Sequence, residues 1–267
     1  MKQNICELRT KVKSGHPLVH CITNPISIHQ CANAVLAIGG RPIMAEHPKE
    51  VAEITETADA LLLNLGNITD ARMESILISA KTAKEKGIPV ILDAVGTACS
   101  SLRKSFAQTV FDTAMPTVIK GNYSEIHALY HDTYRSVGVD ADTALDALSM
   151  EQTAVALSQK LGAVILASGK EDLITDGHRV IKVKNGIPML SAVTGTGCML
   201  GALCAAYLTA ADGVSASVAA CAVLGICGQL AESEKGTGTF LLQLMDALSC
   251  LSESELETMI NLEVIQR

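Results

Sequence analysis

The chain of 267 residues has few aromatic side chains: there is no Trp, and only three Phe and four Tyr are present. Proteins that bind single-stranded nucleic acid usually stack bases on aromatic rings, so this scarcity argues against that class. The net charge of −7 argues the same way, because nucleic acids attract basic surfaces. We therefore expect no nucleic-acid partner.

Several sequence signatures are also missing. The nine Cys form no Cys-X-X-Cys pair, which argues against a zinc motif or a disulfide framework and favours reduced thiols. The N-terminal residues have no apolar stretch typical of a signal peptide. No apolar run reaches the roughly 18 residues expected of a membrane span, and no Walker A motif occurs. These absences predict a cytoplasmic protein that does not enter a membrane.

The chain has ample apolar sequence for one large α/β domain or two smaller ones, since 48% of its residues are hydrophobic. Apolar runs typical of buried parallel strands, such as 60–65 and 89–93, alternate with helical segments. Segment 139–161 contains a helix, most clearly from Met150. Two segments, 198–210 and 215–232, are apolar nearly all round and predict buried helices. Without a linker or repeat, we expect a single domain over residues 1–267.

The pattern changes after residue 167. Short strands are predicted at 172–175, 179–183 and 189–190. Asp176-Gly177 and Asn185-Gly186 separate them and favour hairpin turns. We therefore predict a three-layer α/β/α sandwich whose central sheet is mostly parallel and has an antiparallel edge.

A glycine-rich turn, Gly195-Thr196-Gly197, precedes one of the apolar helical segments. The N-terminus of a helix presents backbone N–H groups and partial positive charge, and glycine lets a phosphate approach closely. Cys198 lies in the first helical turn, where the same field favours a thiolate. The spacing to Gly201 differs from the dinucleotide fingerprint. Alone, the turn fits either an anion site with a nearby base or a tight loop before a core helix.

Polar or sulfur-containing side chains follow the predicted strands. Because the carboxyl ends of parallel strands share one edge, we expect the following residues on one rim: Asn24, Met44, Asn64, Asp93, Lys120 and Ser168. Asp93 is a candidate ligand of Mg²⁺ or a cap of the next turn, and Lys120 is a candidate partner for a phosphate. Glu125, three residues after Asn122, suits either a metal or a helix start. With the glycine turn, these are the components of phosphoryl transfer to an alcohol.

Seven stretches give the chain a family resemblance: VHCITN (19–24), ANAVLAIG (32–39), PIMA (42–45), LNLG (63–66), VILDAVG (90–96), KGNYSEI (120–126) and VTGTGC (193–198). Through them nearly the whole sequence resembles the hydroxyethylthiazole kinase family of the ribokinase-like superfamily. The resemblance implies a ribokinase-like fold. It also implies ATP- and Mg²⁺-dependent phosphorylation of the hydroxyethyl group of 4-methyl-5-(2-hydroxyethyl)thiazole, a step of thiamine salvage. It further implies a homotrimer with thiazole sites between subunits.

The resemblance also implies roles for individual residues. By motif, it implies substrate contacts at Asn24, Met44 and Gly195, ATP contacts at Lys120, Ser168 and Gly197, Mg²⁺ at Asp93 and Glu125, and a catalytic base at Cys198. The superfamily often has Asp at the position of Cys198. Three residues depart from the family pattern: Lys120 replaces the usual Arg, Ala94 the usual Pro, and Pro25 the usual second Asn.

Two other functions stay open at this point. One is another ribokinase-like vitamin kinase, acting on hydroxymethylpyrimidine or pyridoxal; the stretches 23–24 and 32–39 argue against it. The other is a non-catalytic regulator that binds a thiazole or a nucleotide. A neutral thiol at Cys198, which is a poor base, and the unusual Lys120 favour this second alternative.

Overall fold

The computed structural model describes residues 2–131 and 147–266. Within them lies a nine-stranded sheet with the order β2-β1-β3-β4-β5-β6-β7-β8-β9. The strands are β1 (Leu18–Ile22), β2 (Arg41–Ile43), β3 (Ala60–Asn64), β4 (Val90–Asp93), β5 (Val118–Asn122), β6 (Val164–Ser168), β7 (Asp172–Thr175), β8 (Arg179–Val183) and β9 (Leu262–Gln266). Strands β1 to β6 pair in parallel, and β6 to β9 pair antiparallel. The predicted mixed sheet with an antiparallel edge is confirmed.

Helices connect the strands and cover the sheet. They are α1 (Lys2–Gly15), α2 (Ile28–Ala37), α3 (Val51–Glu56), α4 (Asp70–Lys86), α5 (Ser101–Thr113), α6 (Tyr123–Tyr130), α7 (Ala147–Leu161), α8 (Thr196–Leu208), α9 (Gly213–Leu230), α10 (Thr237–Cys250) and α11 (Glu253–Met259). The helix predicted within 139–161 is present as α7, and residues 139–146 lie outside the described residues. The prediction of a single domain over residues 1–267 stays a prediction.

Both faces of the sheet are buried, as β3 illustrates. Ala60 and Leu62 point into one hydrophobic core with α1, α2 and α8–α11. Leu61 and Leu63 point into a second core with α3–α7. Successive residues of a strand face opposite sides, so a strand that is apolar throughout requires cover on both. The predicted three-layer α/β/α arrangement is therefore confirmed.

Helices α8 and α9 pack inside the first core, as their apolar sequences predict. In the part of the chain that the structure describes, one helix is long and apolar enough, by length and composition alone, to cross a membrane: α9 has 18 residues. It is 83% buried within the fold, and the core helices of globular proteins have the same length and composition.

Two predictions for the antiparallel edge were wrong. Residues 188–190 form a 3₁₀ turn that begins at Pro188, instead of a strand at 189–190. Asn185-Gly186 makes no hairpin, because the Asn185 side chain donates to Gln229 and Met259 and accepts from Asn261 N–H. These bonds bring the chain that leaves β8 beside the start of β9, which pairs with β8. Strand β9 was not predicted.

Candidate active site

The predicted rim exists at the carboxyl ends of the parallel strands. Asn64 is paired in register with Asp93, and Asp93 with Lys120. Asn24 follows β1, Met44 follows β2, and Ser168 ends β6. Parallel pairing places these strand ends at one edge of the sheet, where open α/β sheets bind their ligands.

A continuous set of hydrogen bonds joins four of these side chains with Cys198 of α8. The Asn24 amide nitrogen donates to Asn64 Oδ1 at 3.3 Å and to Cys198 Sγ at 3.2 Å. The Asn64 amide nitrogen donates to Asp93 Oδ2 at 3.0 Å and to Cys198 Sγ at 3.4 Å. Lys120 Nζ lies 2.9 Å from Asp93 Oδ1. The structure therefore brings the predicted base, one predicted substrate contact, one predicted metal ligand and the predicted phosphate cation into one cluster.

The orientation of both amides follows from their neighbours. Asn24 Oδ1 accepts the backbone N–H of Ile26 and of Ser27, at 3.2 and 3.1 Å. Asn64 Oδ1 accepts the backbone N–H of Gly66 at 2.8 Å. A carbonyl oxygen must face each of these donors, so each amide NH₂ is directed at the sulfur. Both amides therefore donate an N–H to the Cys198 sulfur and fix its position.

Lys120 and Asp93 form a buried ion pair, with 4% and 0% of their side chains exposed. Burial lowers the pKa of Lys120, but the negative charges of Asp93, Cys198 and Glu125 outweigh burial and raise it above its ordinary value. Burial raises the pKa of Asp93, and the Lys120 ammonium opposes that rise. A fixed cation therefore stands beside the first turn of α8, since a β-carbon built on Gly197 would lie 3.4 Å from Lys120 Nζ.

Glu125 begins α6 and also holds the turn after β4. Its Oε2 accepts the Asn122 N–H at 2.7 Å, which completes a capping box with the Asn122 side chain. Its Oε1 accepts the Gly96 N–H at 2.7 Å. Burial raises the pKa of Glu125 to about 7, with Lys120 opposing. The helix-start role that the sequence allowed is present, and metal binding stays a prediction.

The glycine turn opens the N-terminus of α8. Gly195 adopts a left-handed conformation with φ of +91°, and it has no side chain that could cap the helix. The Thr196 hydroxyl instead donates to the Leu190 carbonyl at 2.7 Å, which fixes the approach to the helix. The N–H groups at 196–198 belong to the first turn of α8, beside Lys120, and such groups have no partner within the helix. This geometry suits a phosphate.

Gly66 is a neighbour of the cluster for which the sequence predicted no role, and it lies beside Asn64, which the sequence placed on the rim without a stated function. A β-carbon on Gly66 would lie 2.9 Å from Asn64 Oδ1 and 3.0 Å from the Asn24 amide nitrogen. The two amides therefore approach each other only because residue 66 has no side chain. The available sequence signal was the position of Asn64 at the end of a fully buried strand.

Three predicted residues lie on the rim but make no hydrogen bond to this cluster. The Ser168 hydroxyl donates to the Gly121 carbonyl at 3.3 Å. Met44 is half-buried and packs against the first core. Gly195 packs against Ser27, at the start of α2. Their roles in binding substrate or ATP stay predictions.

The carboxylates fit a Mg²⁺ ion that arrives with a nucleotide better than a resident ion. Among the described residues, no group of three or more His, Cys, Asp or Glu is arranged to hold a metal. Asp93 and Glu125 are two buried carboxylates beside a phosphate-binding geometry. Mg²⁺ is commonly held by one or two carboxylates, water and the phosphates of a substrate.

Comparison with known proteins identifies the relatives of this chain. The model of the hydroxyethylthiazole kinase family matches residues 9–254. Hydroxyethylthiazole kinase 2 of Clostridium botulinum strain Hall is 44% identical over 253 residues, which cover 92% of this chain and 95% of that protein. The chain belongs to the hydroxyethylthiazole kinase family. As a family member it is a kinase.

Further members and solved structures agree. The hydroxyethylthiazole kinase of Ruminiclostridium cellulolyticum is 42% identical, over 94% of each chain. The structure of a hydroxyethylthiazole kinase protein from Pyrococcus horikoshii superposes with a TM-score of 0.91 at 29% identity, over 99% of this chain and 100% of that chain. A Staphylococcus aureus pyridoxal kinase, at 13% identity, shares the fold with a TM-score of 0.68, over 94% and 99% of the chains. The expected ribokinase-like fold is confirmed.

Proposed function

We propose that the protein transfers the γ-phosphoryl group of ATP to the hydroxyl of 4-methyl-5-(2-hydroxyethyl)thiazole, a step of thiamine salvage. The observation that supports this most directly is the position of Cys198. Its sulfur lies at the N-terminus of α8, in contact with two carboxamides. The relatives in the chain's family are named hydroxyethylthiazole kinase. Their name supports the choice of the thiazole alcohol as the acceptor.

Cys198 acts as the base in this proposal. The thiolate takes the proton of the acceptor hydroxyl while the oxygen forms its bond to the γ-phosphorus. The bond from that phosphorus to the bridging oxygen breaks, and ADP leaves with the bonding electrons. Asn24 and Asn64 donate to the sulfur and fix its position. A positioned base contributes about 10²–10⁴-fold to such a reaction.

The phosphates bind at the N-terminus of α8 in this proposal. The N–H groups at 196–198 and the Lys120 ammonium face the transferring group, and Ser168 contacts the nucleotide phosphates. Asp93 and Glu125 would hold Mg²⁺, which offsets charge on the phosphates. In-line transfer depends mainly on positioning and charge stabilisation. These fixed donors therefore account for much of the rate enhancement over the uncatalysed reaction.

The test is an ATP-consumption assay with the thiazole alcohol, with and without Mg²⁺. The expected products are ADP and a phosphate monoester of the alcohol, identified by ³¹P NMR, and only with Mg²⁺ present. Hydroxymethylpyrimidine and pyridoxal serve as competing acceptors and should react much more slowly. Binding of the thiazole alcohol without ATP turnover would contradict the kinase proposal and favour a regulator.

We also propose a homotrimer, in the cytoplasm, with acceptor sites between subunits. Two exposed apolar side chains support this: Ile26, two residues from Asn24, is 56% exposed, and Leu36 near the C-terminal end of α2 is 55% exposed. Light scattering should give three times the 28.0 kDa chain mass. A fully active monomer at the assay concentration would contradict the assembly. Nine unpaired cysteines support a reducing compartment.

A further inference from the structure

The segment that follows β2 depends on side chains for its position. We call residues 44–50 the acceptor loop, because Met44 is the proposed acceptor contact. Strand β2 has only three residues and pairs with β1 alone, at the edge of the sheet. The sheet therefore constrains the chain that leaves β2 very little, although the proposed contact is the first residue beyond it.

Arg72 of α4 joins the acceptor loop to a second loop. Its Nε and Nη2 each lie 2.9 Å from Glu46 Oε2 in the acceptor loop. Its Nη1 donates to the Asn67 carbonyl at 2.5 Å and to the Gly66 carbonyl at 3.5 Å. We call residues 65–69, which follow Asn64, the β3 loop. One guanidinium group thus holds both rim loops.

This connection differs from an ordinary surface ion pair. Arg72 is only 5% exposed, whereas Glu46 is 48% exposed. A buried guanidinium that loses its partners is left with an uncompensated charge, so the contacts are maintained. The planar fork of Arg also directs donors to two places at once, which a lysine ammonium on a flexible stem does not.

Two more side chains fix the backbone directly after Met44. Burial lowers the pKa of His20, so its imidazole is neutral. Its Nε2 lies 2.9 Å from the Ala45 carbonyl and its Nδ1 lies 2.9 Å from the Thr55 hydroxyl, so the proton is on Nε2. The Ser75 hydroxyl donates to the Glu46 carbonyl at 2.7 Å. The acceptor loop is therefore held to β1 and to α4.

We propose that Arg72 is a positioning residue for the acceptor. By tying Glu46 to the carbonyls of the β3 loop, it sets the distance between Met44 on one loop and Asn64 at the base of the other. The acceptor must fit between Met44 and the Cys198 sulfur, which Asn64 contacts. The inference rests on the proposed function, because that function places the acceptor beside Met44.

The first test measures backbone hydrogen exchange in the ligand-free protein. Arg72→Met should speed exchange in both the acceptor loop and the β3 loop, while α5 and α9 keep their protection. Arg72→Lys, which retains the charge but not the fork, should give an intermediate result. Unchanged exchange in the acceptor loop, or faster exchange throughout the protein, would overturn the proposal.

The second test separates the two substrates kinetically. Arg72→Met and Glu46→Ala should each raise KM for the thiazole alcohol about tenfold, with KM for ATP changed less than about twofold. Their double variant should be no worse than Arg72→Met alone, because the two residues act through one contact. An equal rise in both KM values, or additive effects, would overturn the proposal.

Glu56→Ala is the matched control. Glu56 is 50% exposed, close to the value for Glu46, and it pairs with Lys86 on the same helix as Arg72. This variant should match the wild type in both tests. If the wild type fails to phosphorylate the thiazole alcohol, the proposed function fails. The exchange experiment then still decides whether Arg72 holds the two loops.

Discussion

The ammonium group of Lys120 lies 2.9 Å from Oδ1 of Asp93, and both side chains are buried. The sequence predicted different partners for them, phosphate for the lysine and Mg²⁺ for the aspartate. In the structure each is the counterion of the other. A bound MgATP that contacts both would therefore exchange one balanced set of charges for another, with no isolated buried charge in either state.

Lys120→Ala should weaken both stability and nucleotide binding. It leaves Asp93 buried without its cation, which lowers the free energy of unfolding by about 3–5 kcal/mol. KM for ATP should rise, whereas Lys120→Arg should keep activity because it retains the charge. Chemical denaturation and steady-state kinetics measure the two effects.

The double variant Lys120→Met/Asp93→Asn separates these effects. It removes both charges, so stability should recover while activity stays low. A Lys120→Ala variant with wild-type KM for ATP would show that another cation binds the phosphates.

Cys198→Ala should lower kcat without abolishing turnover. The base is lost, but the N–H groups of α8 and Lys120 still position and stabilise the phosphoryl group. KM for the thiazole alcohol should change little. Cys198→Asp should remain active, because a carboxylate accepts a proton and fits the superfamily pattern. Steady-state kinetics from pH 6 to 9 measure these effects; full kcat in the alanine variant throughout that range would contradict the assignment.

Alkylation tests the same sulfur in the unmodified protein. Iodoacetamide should inactivate the enzyme at a rate that bound thiazole alcohol reduces. Cys99 and Cys250 are exposed and will also react, so mass spectrometry must follow the peptide that contains Cys198. If activity is lost at the rate at which Cys99 or Cys250 is alkylated, and not at the rate for Cys198, the prediction is contradicted.

Gly66→Ala should disturb the two amides that contact the sulfur. The new methyl group would lie 2.9 Å from Asn64 Oδ1 and 3.0 Å from the Asn24 amide nitrogen, so both must shift. We expect a loss of kcat, with a loss of about 1–3 kcal/mol in unfolding free energy. Gly238→Ala on α10 is the control, because its methyl group would meet no atom within 4 Å. Equal kcat in both variants would contradict the role of the close approach.

His20 should make stability depend on pH. Burial lowers the pKa of His20 from 6.5 in the folded protein. The unfolded chain therefore binds a proton at His20 at a higher pH than the folded protein does. The unfolding free energy should therefore decrease as pH falls below 6.5, by no more than about 1.4 kcal/mol per pH unit from this group. His20→Gln does not titrate and should show a shallower decrease in denaturation measured from pH 5 to 8. Identical slopes would assign the effect to other groups.

The sequence predicted the rim because every parallel strand ends at the same edge, so position alone placed Asn24, Asp93 and Lys120 there. It did not predict the contacts among them. Which amide faces a sulfur depends on backbone donors such as Gly66 N–H, and these depend on tertiary geometry. The same reason explains why β9 was missed: the strand it pairs with, β8, is distant in sequence, and local pattern does not reveal such pairings.

The pairing of β8 with β9 has a consequence during synthesis on the ribosome. Strand β8 is made before α8–α11, and β9 follows only after all four helices. Until then the backbone N–H and C=O groups along one side of β8 have no strand to pair with. An open strand edge is a template for pairing with other chains. The edge of β8 is therefore most open to pairing with another chain during that interval, and slow translation across 184–261 would lengthen it.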